Sequence, residues 1–256
     1  MSIFVKEKFC EELVKLESYK QRDFETALKE IFRKMDTIML EAPGAERLAE
    51  ISDSEKDNLF GRPGGEDENV AKFCGCTAVV VLMSDSHIIC ANAGDSRAVL
   101  GRSTGNQMCF PLSDDHKPDN APEKARIEAA GGFVEENRVN GSLNLSRSLG
   151  DFEYKSNSAL DYTQQMVTCD PEIRSVARQN ADQFIILACD GIWDCLTSEE
   201  CVIQTRDALG ALDEAKPVAS IIESMFDRIV AKDILSSAGV GTDNMTCIVI
   251  QLKPRA

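Results

Sequence analysis

The run Phe184-Ile185-Ile186-Leu187-Ala188-Cys189 passes without a break into Asp190-Gly191. An uninterrupted apolar run of this kind reads as a buried strand, and a carboxylate at its end is unfavourable to bury without a positive partner. The same order recurs: Ile88 to Ala93 runs into Gly94-Asp95, and Gly241-Thr242-Asp243-Asn244 introduces the apolar run Met245 to Leu252. Strand ends that each present an aspartate constrain the chain to a sheet. If that sheet brings the ends together, Asp95, Asp190 and Asp243 offer only hard oxygen donors, with Asp194 four positions beyond Asp190. Without His or Cys among the donors, such a group selects magnesium or manganese over zinc or copper. Taken singly, each aspartate is an ordinary turn or cap residue. Only their joint occurrence points to a cation.

The rest of the chain supports a mixed fold. Residues 3 to 17 and 23 to 40 place Phe4, Phe9, Leu13, Leu16 and then Phe24, Leu28, Ile31, Met35, Met39 near helical spacing, so two amphipathic helices open the chain. Residues 50 to 72, with Pro63-Gly64-Gly65, read as a surface loop or linker. Short β-rich runs follow at Thr77 to Met83, Ile88 to Ala93, Ala98 to Gly101 and Met108 to Leu112. Between them stand Ser84-Asp85-Ser86 and Ser103-Thr104-Gly105-Asn106, in the manner of an antiparallel meander. A helix is expected from Pro122 to Ala130, closed by Gly131-Gly132, and Asn140-Gly141 signals a tight turn. Strands near Glu172 to Val176 and Phe184 to Cys189, helices over 198–209 and 216–231, and a last strand Met245 to Leu252 complete an α+β pattern.

Bulk composition excludes several classes. A formal net charge of −15 argues against a nucleic-acid surface, which needs clustered Lys and Arg. The ten cysteines are scattered through apolar stretches and read as buried free thiols of a reducing compartment. Cys74 and Cys76 have no second pair at zinc-site spacing, and His87 and His116 are the only histidines. No apolar run reaches the roughly 18 residues of a membrane helix, and charged residues occupy the place of a signal-peptide centre. The expectation is an intracellular chain, cytoplasmic or nuclear, monomeric, without membrane or nucleic-acid partners.

At this point a resemblance becomes specific. The segments Gly94-Asp95-Ser96-Arg97, Asp115-His116-Lys117-Pro118, Gly131-Gly132, Arg138-Val139-Asn140-Gly141-Ser142-Leu143, Leu145-Ser146-Arg147-Ser148-Leu149-Gly150-Asp151, Cys189-Asp190-Gly191-Ile192-Trp193-Asp194 and Thr242-Asp243-Asn244-Met245-Thr246 resemble, in order, the motifs of type-2C (PPM) metal-dependent serine/threonine protein phosphatases. The resemblance implies a single domain over 1–256, built as a four-layer α-β-β-α sandwich of two antiparallel sheets flanked by helices. It implies hydrolysis of phosphoserine and phosphothreonine in proteins by a water that two magnesium or manganese ions activate. Asp190 and Asp243 match ligands of the main binuclear centre, and Asp95, Asp190 and Asp194 match a third, weaker site. His116 matches a conformation-defining loop and is expected to be structural, as is His87. Arg147 and Asp151 match a segment near the active-site flap and are expected to be structural or substrate-adjacent.

The family pattern also has parts these 256 residues do not contain: an early Arg followed by Glu-Asp, and Asp-Gly-His-Gly-Gly. In the family these grip the phosphate, bridge the metals and donate the leaving-group proton, so no catalytic or substrate-binding residue can be assigned here. The sequence is therefore expected to be truncated at its N-terminus, to miss strands of the sandwich, and to have little phosphatase activity alone. Besides an enzyme, a non-catalytic relative acting as a phosphoprotein-binding or regulatory scaffold fits the same residues. A hydrolase of small phosphate esters fits less well, since no Gly-rich phosphate loop precedes a helix.

Overall fold

The computed structural model describes residues 1–54, 69–103, 108–212 and 217–253. In chain order the elements are α1 (Ser2–Leu13), α2 (Glu17–Lys20), α3 (Phe24–Leu40), α4 (Ala42–Ser54), β1 (Gly75–Cys76), β2 (Ala78–Met83), β3 (His87–Ala93), β4 (Arg97–Arg102), β5 (Cys109–Pro111), α5 (Ala121–Ala129), β6 (Val134–Glu135), β7 (Arg138–Val139), β8 (Leu149–Gly150), β9 (Glu172–Ala177), β10 (Asp182–Ala188), α6 (Asp190–Trp193), α7 (Ser198–Gly210), α8 (Ala219–Ile229) and β11 (Cys247–Gln251). The class is α+β, with antiparallel sheets flanked by helices, as the sequence led one to expect. The breaker Pro63-Gly64-Gly65, most of the turn 103–106 and residue 216 lie outside the described residues.

The chain forms two compact units. The first comprises 1–80, 91–94 and 115–173; the second comprises 81–90, 95–114 and 174–256. In the first, α3 shows why a sequence stripe becomes a packed helix. The Asp23 side chain accepts a hydrogen bond from Thr26 N at 3.3 Å, satisfying an otherwise unpaired amide at the helix start. Ala27, Leu28, Ile31, Phe32, Met35 and Met39 are then buried along one face, and Phe32 meets Phe9 of α1 edge-to-face with centroids 5.6 Å apart. Each such large side chain contributes about 1.5–3 kcal/mol by leaving water. Helix α4 follows directly, where the sequence had suggested only loop beyond residue 50. Pro43 and Gly44 look like breakers, yet Pro43 stands in the first turn, where its missing N–H costs nothing.

In the second unit the four-stranded sheet has the order β11-β10-β4-β5. The anticipated meander is thus interrupted: β2, β3 and β9 neighbour one another in a separate three-stranded sheet, while β4 joins β10 and β5. The break falls at Gly94, whose φ of +125° is a backbone state L-residues rarely adopt. On one face of the four-stranded sheet, Val99, Phe184, Ile186 and Ala188 pack with Ile192, Trp193, Cys201, Val202 and Met225 from the helices. Helix α7 starts with a reciprocal cap: Thr197 Oγ1 accepts from Glu200 N, and Glu200 Oε2 accepts from Thr197 N.

All ten cysteines are free thiols. Burial pushes the thiols of Cys76, Cys109 and Cys201 up to about 11 and that of Cys247 to about 12, with Cys169 raised further. Since the thiolate is the reactive form, these groups are inert in the folded state. Titration of the native chain with an aromatic disulfide reagent is therefore expected to label exposed Cys10 fast and buried Cys90, Cys109, Cys169 and Cys201 only after denaturation. Equal labelling rates for all thiols would contradict that burial.

Candidate active site at the strand ends

Strand register decides where the aspartates go. Arg97, Ala188 and Cys247 stand side by side across β4, β10 and β11, at the end where β10 finishes and where β4 and β11 begin. Asp95 lies two residues before β4, Asp190 two residues after the end of β10, and Asp243 four residues before β11. Antiparallel pairing thus brings these three segments to one end of one sheet, all within the second unit.

Close contacts bind two of the segments together. Cys189 N donates to Thr246 O at 3.2 Å, extending the β10–β11 ladder by one bond. Gly191 packs against the segment opposite: a side-chain Cβ there would lie inside van der Waals contact of Asn244 O and 3.6 Å from Asp243 Cβ. The role of Gly191 is this close approach, since the chain enters the single-turn helix α6 at Asp190. Both carboxylates also steady their own backbone, Asp190 Oδ1 accepting from Gly191 N at 2.9 Å and Asp243 Oδ1 from Asn244 N at 2.6 Å. Asp194 follows α6, with its N–H donating to Asp190 O at 2.7 Å. Asp95 is buried, Asp190 half-buried, and Asp194 and Asp243 exposed. Beside them, Trp193 Nε1 donates to Ala188 O at 2.8 Å and the Arg97 guanidinium lies 5.2 Å from the Trp193 ring centroid.

As a donor set, these aspartates offer only hard oxygen atoms, the donor chemistry that suits a hard divalent cation. They do not form a closed cage: among the described residues no group of three or more His, Cys, Asp or Glu side chains stands ready to hold an ion.

Of the remaining candidates, His116, Arg147 and Asp151 belong to the first unit and His87 to the second. His116 is buried, its Nδ1 3.1 Å from Gly94 O and its Nε2 3.5 Å from a Glu172 carboxylate oxygen, while its own carbonyl accepts from Ser146 Oγ at 2.9 Å. Such a ring braces a loop. His87 is exposed at the start of β3 beside Ser86 Oγ. Asp151 is buried with φ +52° and accepts from Ser148 Oγ at 2.7 Å; burial raises its pKa against the opposing pull of Ser148 and Lys155.

Arg147 leads to a feature the sequence did not reveal. Its Nη2 donates to Glu123 Oε1 at 2.6 Å, while Arg126 Nη1 at 2.6 Å and Ser146 Oγ at 2.7 Å donate to Oε2. Burial by itself would raise the Glu123 pKa. The Arg147 hydrogen bond, the charges of Arg126 and Arg147, and Ser146 outweigh it and hold the carboxyl at about 2. Arg126 and Arg147 reach on to the carbonyls of Gln165 and Asp170, so the network ties α5 to the segments around 146 and 165–170.

The sequence profile of the family described as Protein phosphatase 2C matches residues 6–225. The chain is 41% identical over 252 residues to Probable protein phosphatase 2C 4 of Paramecium tetraurelia, covering 98% of this chain and 77% of that protein. It is 37% identical over 273 residues to Probable protein phosphatase 2C 21 of Arabidopsis thaliana, covering 96% and 75%. A crystal structure of serine-threonine phosphatase 2C from Toxoplasma gondii superposes with a TM-score of 0.68 at 18% identity, over 98% of this chain and 81% of that one, which shows a shared fold.

Proposed function

Because this chain belongs to the protein phosphatase 2C family of serine/threonine protein phosphatases, we propose that it removes phosphate from serine and threonine side chains of phosphoproteins with the help of magnesium or manganese held at Asp190 and Asp243. Asp95 and Asp194 are proposed to serve a further cation beside Asp190. The observation that carries this reading is the register that gathers Asp95, Asp190 and Asp243 at one end of the four-stranded sheet. A divalent ion there would neutralise phosphoryl charge and make a water acidic enough to attack at neutral pH. The chain's own part is to hold the donors: Gly191 permits close backbone approach, and Arg97 and Trp193 pack beside the β10 end. The family match runs through both compact units, which supports one catalytic domain over 1–256. The acidic balance supports a monomer without nucleic-acid partners.

The 256 residues contain no Asp-Gly-His-Gly-Gly and no early Arg followed by Glu-Asp. Without those residues, two cations held here would lack negative charge to offset their repulsion, so this polypeptide by itself is proposed to turn over slowly. A non-catalytic phosphoprotein-binding role is the second reading, favoured by the lack of a three-ligand cluster among the described residues. The test is calorimetry of Mn2+ binding together with phosphate release from a phosphothreonine peptide, for the native chain and for Asp190→Asn and Asp243→Asn. Binding that either substitution abolishes, with slow metal-dependent release, is expected. Metal-independent release, or binding indifferent to both substitutions, would overturn the cation assignment; robust release by the native chain would overturn the slow turnover. Peptide binding with no release under any metal would favour the second reading.

A further inference from the structure

Resting on the assignment of Asp190 and Asp243 just given, we infer that the Cys189 thiol is a positioning group that sets the spacing between those two carboxylates. Ladder pairing between β10 and β11 ends at Ala188 opposite Cys247, and one further bond, Cys189 N to Thr246 O at 3.2 Å, follows. From there the 243–246 segment is held by a sulfur atom. Thr246 N donates to Cys189 Sγ at 3.2 Å, and the thiol donates to Asn244 O at 3.3 Å. A single side chain thus acts as acceptor and donor for two peptide groups of the segment that carries Asp243. The backbone of residues 190 and 191, on the same side of Cys189, carries the other carboxylate and packs against the same Asn244 carbonyl.

A thiol suits this place for a physical reason. Its hydrogen bonds are weak, but sulfur's large radius and long bonds let it reach two peptide groups at once. Alanine would leave both groups without the contact, while serine keeps a donor and an acceptor on a shorter arm. The thiol itself is given no chemical step.

The experiment has two readouts on the 256-residue chain. Calorimetric titration with Mn2+ is expected to show binding about five- to tenfold weaker in Cys189→Ala, the size of one to two lost weak hydrogen bonds, and within about twofold of native in Cys189→Ser. Hydrogen exchange at the Thr246 amide, measured without metal, is expected to speed up in Cys189→Ala and to return toward native in Cys189→Ser. Native exchange and native Mn2+ affinity in the alanine variant would overturn the inference. So would a serine variant as impaired as alanine in both readouts. If the native chain binds no Mn2+, or Asp190→Asn binds it equally well, the cation assignment falls. The exchange arm then still decides whether the thiol holds the segment.

Discussion

Replacing Glu123 by alanine is expected to destabilise the fold by about 3–5 kcal/mol, the usual cost of breaking a buried charge network from one side. The side chain is only 2% exposed and neutralises two partly buried guanidinium groups, so its loss leaves Arg126 and Arg147 facing each other across a cavity. Against a typical domain stability of about 5–15 kcal/mol, that is enough to unfold much of the population near physiological temperature. Glu123→Gln, which keeps the shape but not the charge, should fall between native and alanine. The same carboxylate makes stability depend on acid. Its pKa is about 2 in the fold against 4.5 for the unperturbed group, so its contribution is fully present above about 4.5 and is lost as pH falls toward 2. Urea midpoints between pH 7 and pH 3 should therefore decline in the native chain and decline less in Glu123→Gln. An alanine variant with an unchanged midpoint would show that the network does not hold the segments it joins.

Gly191→Ala is expected to weaken Mn2+ binding by about 10–100-fold, the range seen when groups supporting metal ligands are disturbed. The added methyl would overlap the Asn244 carbonyl oxygen, so one of the two backbone segments must shift. On one side Asp190 is pinned by the bond from Asp194 N at 2.7 Å, and on the other the segment is tied through Thr246 to Cys189. Relief must come from moving Asp243 away from Asp190. Overpacking of this kind also costs about 1–3 kcal/mol of stability, so thermal unfolding should be measured beside the calorimetry. An alanine variant that binds Mn2+ as tightly as the native chain would show that the approach of these two segments does not set the site.

The sequence alone determined what short-range physics can determine. The periodic stripes of α3, the cap at Thr197 and the apolar run of β10 each act within a few residues, so their elements fall within a few residues of where periodicity placed them. The aspartates were visible one at a time for the same reason, since each follows or precedes an apolar run. Ordered motifs were enough to suggest a family, which the comparisons then established. Helix α4 was not among the expected elements, although Pro43 suits the first turn in which it stands. Tertiary structure alone decided which runs share a sheet. No nearby residue says that β10 lies between β4 and β11, although that pairing is what collects Asp95, Asp190 and Asp243. Likewise, nothing around Glu123 announces an arginine 24 residues away, and nothing around Cys189 distinguishes it from the buried thiols until Asn244 and Thr246 come to rest against its sulfur. Periodicity is a property of neighbours in the chain, whereas register, ion-pair partners and close backbone approach are chosen by the whole core as it packs.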